Sequence, residues 1–80
     1  MATSLWARPP PEHIRQRALD YCRRVGKPIL IGHLSLELGW WSNLESTEAL
    51  LESLVEERVL RRMTSSECRS FGITFAYALV

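Results

Sequence analysis

The chain is 80 residues long, with 46% hydrophobic and 24% charged residues, two cysteines and a formal net charge of +1. This length allows one domain with a small core, and the composition is ordinary for a globular protein. A membrane-spanning helix needs about 18 or more consecutive apolar residues, and no such run occurs. The first residues also lack the apolar segment of a secretory signal. We therefore expect an intracellular protein, cytoplasmic or, if bound to DNA, in the nucleoid or nucleus.

The charge is unevenly distributed along the chain. Residues 1–27 hold six basic and two acidic side chains, and residues 28–57 hold six glutamates without a lysine or arginine. Residues 58–80 are again mainly basic, with four arginines and one glutamate. Segments of opposite sign predict separate basic and acidic surfaces, which suit different partners.

The first predicted elements are an arm and a helix. Residues 1–10 are expected to be a flexible arm that ends in a run of prolines. Pro11 suits the first turn of a helix, while Gly26 and Pro28 are typical of a helix end. The helix is therefore predicted over residues 11–25. Helical spacing predicts that its buried face consists of Ile14, Ala18, Tyr21, Cys22 and Val25.

Three shorter elements are predicted next. The apolar, β-branched run at residues 28–32 favours a brief strand, and residues 33–39 favour a short helix that ends at Gly39. Ser42 followed by Glu45 is a capping-box pattern, which predicts the start of a third helix. Leu50 should lie on the flank of that helix. Its buried face should consist of Leu44, Thr47, Leu51, Leu54 and Val55.

The last part of the chain favours a β-hairpin. Residues 59–63 (VLRRM) and 72–80 (GITFAYALV) are strand-like, with alternation clearest in the second segment. The intervening segment, residues 64–72 (TSSECRSFG), is rich in serine and predicts a polar hairpin tip. The predicted order is helix, strand, helix, helix, strand, strand.

This order, with LLESLVEERVLRR leading straight from the third helix into a basic hairpin, resembles the winged-helix family. LVEERVLRR and the closing FAYAL are similar to the segments where the family's third helix enters the wing and the final strand returns. One difference is that the segment after Gly39 is about two residues longer than in compact helix-turn-helix units. The resemblance implies an α+β fold, a single winged-helix domain over residues 11–80, and binding to double-stranded DNA.

The third helix does not match the charge of DNA. Glu45, Glu48, Glu52 and Glu56 recur at spacings of three and four residues, opposite the predicted buried face. Duplex DNA carries about one negative charge per 1.7 Å of its axis, so a row of carboxylates is repelled by it. This stripe is either a solvated surface or a docking face for a basic partner.

The hairpin and the first helix fit DNA better than the third helix does. Arginines and serines in the hairpin are suited to phosphate contacts, although such residues also serve solubility. Ser42 and Asn43, two polar residues at the start of the third helix, are further candidates. The predicted nucleic-acid-binding residues are Arg15, Arg23, Arg24, Arg61, Arg62, Arg69, Ser42 and Asn43.

The tryptophans favour a protein partner. Trp40, directly after a turn glycine, is expected to point into the core, which leaves Trp41 partly exposed beside the glutamates. An exposed tryptophan is typical of an interaction hot spot, and Trp6 on the arm is a second candidate, although both could simply pack over a small core. The predicted residues for binding a protein or a second copy of the chain are Trp6, Trp41, Glu45, Glu48 and Glu52.

The sequence shows no motif for catalysis or for a metal. It has no nucleophile–base pair, glycine-rich phosphate loop, H-E-x-x-H or C-x-x-C pattern. His33 and Glu37 lie one helical turn apart, which is typical of a surface contact. Cys22 is expected to be a small buried hydrophobe, and a disulfide with Cys68 is not expected in a reducing compartment. We therefore expect no enzyme activity, cofactor, metal, small-molecule substrate or membrane partner.

Two functions from different classes remain. The first is a small winged-helix DNA-binding protein, a transcriptional regulator that contacts DNA through its wing and basic first helix. The alternative is a winged-helix protein-interaction module that docks a basic partner on its acidic third helix. Family membership would favour the first function, whereas the charge of the third helix favours the second.

Overall fold

The computed structural model describes residues 10–39 and 43–80, and most of the predicted arm lies outside them. Its strands pair antiparallel, with Leu60 opposite Leu79 and Arg62 opposite Tyr77. This is the small α+β architecture that the sequence predicted. The elements in chain order are α1 (Glu12–Val25), α2 (Ile31–Leu38), α3 (Leu44–Glu56), β1 (Leu60–Arg62), α4 (Ser65–Ser70) and β2 (Tyr77–Leu79).

Helix α1 confirms the first predicted helix. Pro11 is its N-cap residue, and the helix ends at Val25 as expected. Gly26 follows with φ at +76°, a conformation that favours glycine, and its N–H donates to the carbonyl of Cys22 at 2.9 Å. The buried residues of this helix are Ile14, Ala18, Leu19 and Cys22, with Tyr21 and Val25 packed against the core at its border.

The strand predicted over residues 28–32 is wrong in extent. Only Ile29 forms a bridge, in which it donates to the carbonyl of Tyr77 at 2.8 Å and accepts from its N–H at 3.0 Å. Helix α2 then begins at Ile31 rather than at residue 33. The reason is that Ile31, Leu34 and Leu38 follow helical spacing and can all turn toward the core.

Helix α3 begins at Leu44, because Asn43 serves as its N-cap. The side-chain Oδ1 of Asn43 accepts a hydrogen bond from the N–H of Ser46 at 2.8 Å. Asparagine is among the best N-cap residues, since its oxygen satisfies a backbone donor that the helix leaves free. The helix thus begins one residue later than predicted, and Ser42, half of the predicted capping box with Glu45, lies outside the described residues.

The buried face of α3 differs from the prediction at two positions. Leu50, predicted on the flank, is fully buried. Leu44, predicted in the core, is the first residue of the helix and is 61% exposed. The predicted residues confirmed as buried are Thr47, Leu51 and Leu54, while Val55 is half-buried.

The hairpin carries a helix where the sequence predicted a polar tip. Helix α4 begins with a complete capping box: the N–H of Glu67 donates to Oγ1 of Thr64 at 3.2 Å, and the N–H of Thr64 donates to the Glu67 carboxylate at 2.9 Å. Both strands are correspondingly shorter than predicted. The helix is held by a second small core that consists of Met63, Cys68, Ala76 and Ala78.

Candidate functional site

Two of the predicted partner-binding glutamates lie free on the surface of α3. Glu45 and Glu48 are exposed, and neither forms an ion pair or a side-chain hydrogen bond with any residue in the described part of the chain. Their spacing of three residues places them on adjacent turns of one side of the helix. We call Glu45 and Glu48 the acidic face of α3. This face presents two negative charges without a cation from the described residues.

Glu52, four residues after Glu48, is bound within the protein. Its carboxylate accepts from the hydroxyl of Tyr77 and pairs with the guanidinium of Arg62. Partial burial raises the pKa of Glu52, but the hydrogen bonds from Arg62 and Tyr77 outweigh this effect and hold the pKa below its ordinary value. Glu52 therefore joins α3 to the hairpin, and its charge is less available to a partner than the sequence predicted.

Tyr77 was not identified from the sequence, although it is the largest fully buried side chain among the described residues. Burial raises its pKa, and the hydrogen bond to Glu52 and the negative charge of Glu48 raise that pKa further. Tyr77 thus remains a protonated donor at neutral pH. Its ring also packs edge-on against Phe75, with 5.1 Å between the ring centroids.

Two of the three hairpin arginines predicted to bind phosphate, Arg61 and Arg62, are engaged by glutamates. Arg61 donates two hydrogen bonds of 2.8 Å to the two carboxylate oxygens of Glu67. Arg62 pairs with Glu52 across the interface between the hairpin and α3. A bidentate guanidinium–carboxylate pair uses the same donors that a phosphate would need. Phosphate binding at Arg61 or Arg62 would therefore compete with contacts inside the domain.

Glu67 connects three segments of the chain. Besides Arg61 and the N–H of Thr64, its carboxylate contacts Nζ of Lys27 at 3.2 Å. The hydrogen bonds from Arg61, then that from Thr64, hold the pKa of Glu67 well below its usual range; burial opposes them, and Lys27 lowers the pKa by less than burial raises it. The sequence did carry a signal for this residue, because T-x-x-E at residues 64–67 is a capping-box pattern.

The low pKa of Glu67 predicts a loss of stability in acid. A carboxyl whose pKa is lower in the folded than in the unfolded chain stabilises the fold above the unfolded pKa, which is about 4.3, and loses this contribution as the pH falls toward the folded value. Chemical denaturation should therefore give a falling free energy of unfolding below about pH 5. Glu67→Gln should show a shallower fall, with the remainder due to groups such as Glu52; an unchanged slope would contradict the role of Glu67.

The other predicted DNA-binding residues differ in their surroundings. Arg15 pairs with Glu57, the residue after α3. Arg24 lies over the ring of Tyr21, 5.4 Å from its centroid. Asn43 caps α3 but stays exposed. The exposed arginines without an ion pair or side-chain hydrogen bond to the described residues include Arg23 and Arg69.

Trp6, Trp40 and Trp41 lie outside the described residues, so the two anchors, Trp6 and Trp41, and the core position of Trp40 stay predictions. Exposed apolar side chains do occur in the described part. They are Leu36, Leu44, Phe71, Phe75 and Val80.

The two cysteines of the chain, Cys22 and Cys68, are buried. Burial, opposed by the charge of Arg23, raises the pKa of the Cys22 thiol to about 11, which suits a small apolar core residue, and both cysteines are free thiols. The described residues contain no group of three or more His, Cys, Asp or Glu that could hold a metal ion. None of the described helices is long and apolar enough to cross a membrane.

Comparisons with protein-family models, curated proteins and solved structures gave no match to this chain.

Proposed function

We propose that this chain is a winged-helix domain that acts as a protein-interaction module, with the acidic face of α3 binding a basic segment of a partner protein. The order of elements supports the fold: a helix, one bridging residue, two helices and a hairpin. Ile29 pairs with β2 on the side opposite β1, so three extended segments lie side by side. Helix α4 within the hairpin is the departure from a simple wing.

The observation that carries the proposal is the distribution of unpaired charge. The hairpin cations Arg61 and Arg62 are held by Glu67 and Glu52, whereas Glu45 and Glu48 have no cation among the described residues. A lysine or arginine from another protein can approach these two carboxylates without breaking an ion pair or side-chain hydrogen bond to the described residues. A phosphate would be repelled by them and would compete with Glu67 for Arg61.

The proposal is tested by neutralising the acidic face. Glu45→Gln combined with Glu48→Gln should weaken binding to a synthetic Lys/Arg-rich peptide by about 2- to 30-fold, since exposed ion pairs contribute about 0.2–1 kcal/mol each. Titration calorimetry at low and moderate salt measures this, and the loss should shrink as salt rises. The peptide should also associate more slowly with the variant.

A matched control separates the face from the net charge. Glu12→Gln combined with Asp20→Asn also removes two carboxylates, but from exposed positions on α1. This control should bind the peptide within about twofold of the native protein, because it leaves both carboxylates of the acidic face in place and salt screens exposed charges. Equal losses in the two double variants would show that net charge alone attracts the peptide, and the acidic face would then have no special role.

DNA binding is the second candidate, and it is favoured by Arg23 and Arg69, which are exposed and have no ion pair with the described residues. The contact of Lys27 with Glu67 brings the end of α1 close to α4, the helix that carries Arg69. Arg23→Ala with Arg69→Ala should lower the salt dependence of duplex binding by about two phosphate contacts. The Gln variant of the acidic face should bind a duplex more tightly if α3 approaches it. A duplex that does not bind even at low salt would exclude this candidate.

A further inference from the structure

Two cations from distant parts of the chain meet at one carboxylate. Nζ of Lys27, just after α1, lies 3.2 Å from Oε2 of Glu67, and the guanidinium of Arg61 in β1 donates to both oxygens of that carboxylate at 2.8 Å. Lys27 and Arg61 therefore share Oε2 as a common acceptor. Like charges at this range repel each other, so their position together depends on an anion between them.

This cluster is neither neutral nor closed to solvent. One carboxylate faces two cations, so one positive charge is left over. The side chains of Lys27 and Arg61 are 45% and 42% exposed, and that of Glu67 is 25% exposed. An anion from outside the domain can therefore approach both cations from solvent.

The contact has the geometry that a phosphate would use. A guanidinium binds carboxylate and phosphate with the same fork of two N–H donors, and lysine binds phosphate as a point charge. Further cations lie nearby in the chain: Arg23 in the last turn of α1 and Arg69 in α4, both exposed and without an ion pair to the described residues. A backbone of repeated phosphates can engage several such cations, whereas a small anion engages one or two.

We infer that the contact of Glu67 with Lys27 and Arg61 is autoinhibitory: the carboxylate occupies the place of a backbone phosphate of duplex DNA and lowers the affinity of the chain for the duplex. The inference goes beyond the proposed function, because it concerns another surface and another class of ligand than the acidic face of α3. Glu67 belongs to the same chain as the cations, so it competes at a high effective concentration. A phosphate has to displace it before it can bind both donors of Arg61.

A titration of duplex DNA at low and moderate salt, against the native chain and Glu67→Gln, tests the inference. Glutamine can complete a capping box as glutamate does, so the start of α4 keeps its hydrogen bonds. Glu67→Gln should bind the duplex about tenfold or more tightly, since a hydrogen bond to a charged group contributes about a factor of ten or more. The salt dependence should become steeper by about two phosphate contacts. Affinities within about twofold of each other, or no duplex binding by either protein at low salt, would overturn the inference.

Glu12→Gln is the matched control for net charge. It removes the same charge from an exposed glutamate of α1 that has no ion pair with the described residues. It should leave duplex affinity within about twofold of the native value, because no cation is released and salt screens exposed charges. Equal gains for Glu12→Gln and Glu67→Gln would show an effect of net charge alone and would overturn the inference.

A double-mutant cycle assigns the gain to Arg61. In the native chain this arginine is occupied, so Arg61→Gln should change duplex affinity by less than about threefold. In the Glu67→Gln background the same substitution should remove most of the gain, and equal effects in the two backgrounds would overturn the inference. Thermal unfolding checks the fold of each variant. Should Glu67→Gln fail to fold, the native background decides: a loss of about tenfold or more on Arg61→Gln would mean that Arg61 already binds the duplex.

A peptide of glutamate residues separates DNA from an acidic protein segment as the ligand. Glu67→Gln should gain less affinity for this peptide than for the duplex, because the duplex carries phosphates at a higher and regular density. A gain for the peptide that equals or exceeds the gain for the duplex would make an acidic protein segment the ligand and would overturn the assignment to DNA.

Discussion

Leu51→Ala should lower the free energy of unfolding by about 2–5 kcal/mol. Leu51 is fully buried in the main core, together with Ile14 and Ala18 of α1 and Leu54 of α3. The truncation removes apolar contacts and leaves a cavity that the surrounding helices can close only in part. Since small domains have about 5–15 kcal/mol of stability in total, this change removes a large share of it.

Chemical denaturation followed by circular dichroism measures this loss, and α3 itself supplies the control. Leu44→Ala is the same substitution in the same helix at an exposed position, and it should change stability by less than about 0.5 kcal/mol. Similar losses for Leu44→Ala and Leu51→Ala would contradict the burial of α3 described here. A melting temperature that Leu51→Ala leaves unchanged would show that the buried face of α3 lies elsewhere.

Glu52→Ala should have the second-largest effect, about 1–3 kcal/mol of destabilisation. The substitution leaves the hydroxyl of the buried Tyr77 without its acceptor and leaves Arg62 without its carboxylate. A buried donor that loses its partner retains the full free-energy penalty of its removal from water. Glu52 therefore stabilises the contact between α3 and the hairpin.

Glu48→Ala is the matched control for Glu52→Ala, since Glu48 is an exposed glutamate on the same helix without an ion pair to the described residues. It should change stability by less than about 0.5 kcal/mol, while it weakens binding of a basic peptide. Glu52→Gln, which keeps an oxygen acceptor for Tyr77, should recover part of the stability. Equal destabilisation by Glu48→Ala and Glu52→Ala would remove the structural distinction between the two glutamates.

Much of the helical core could be predicted from the sequence. Residues such as Ile14, Ala18, Leu51 and Leu54 recur at helical spacing, and burial of such a stripe is what makes a short helix stable in a small domain. Leu44 has the same spacing but lies at the helix end, and periodicity alone does not tell where the covering elements stop. The strand predicted at residues 28–32 failed for a related reason, since a short apolar run fits either a strand or the start of a helix.

The candidate site was less predictable, because it depends on contacts between distant parts of the chain. The sequence placed Glu45, Glu48 and Glu52 on one side of α3, but their spacing could not show that Tyr77 and Arg62 reach only Glu52. The sequence also could not show which arginines have a glutamate beside them in the fold. Only the positions of the side chains in the folded domain distinguish paired arginines from the others.

The pairing of Ile29 with Tyr77 has a consequence for the order in which the chain folds. This bridge joins the segment after α1 to the final strand, so the sheet cannot be completed until the last part of the described chain has arrived. Closing so long a loop costs chain entropy before the contact returns any free energy, whereas contacts within and between neighbouring helices form locally. We expect the helices to assemble first and β2 to dock last, so hydrogen exchange during refolding should protect the Tyr77 amide late. Until that step, the core lacks the side chain of Tyr77, and the chain with β2 undocked is the form most exposed to proteases and to aggregation.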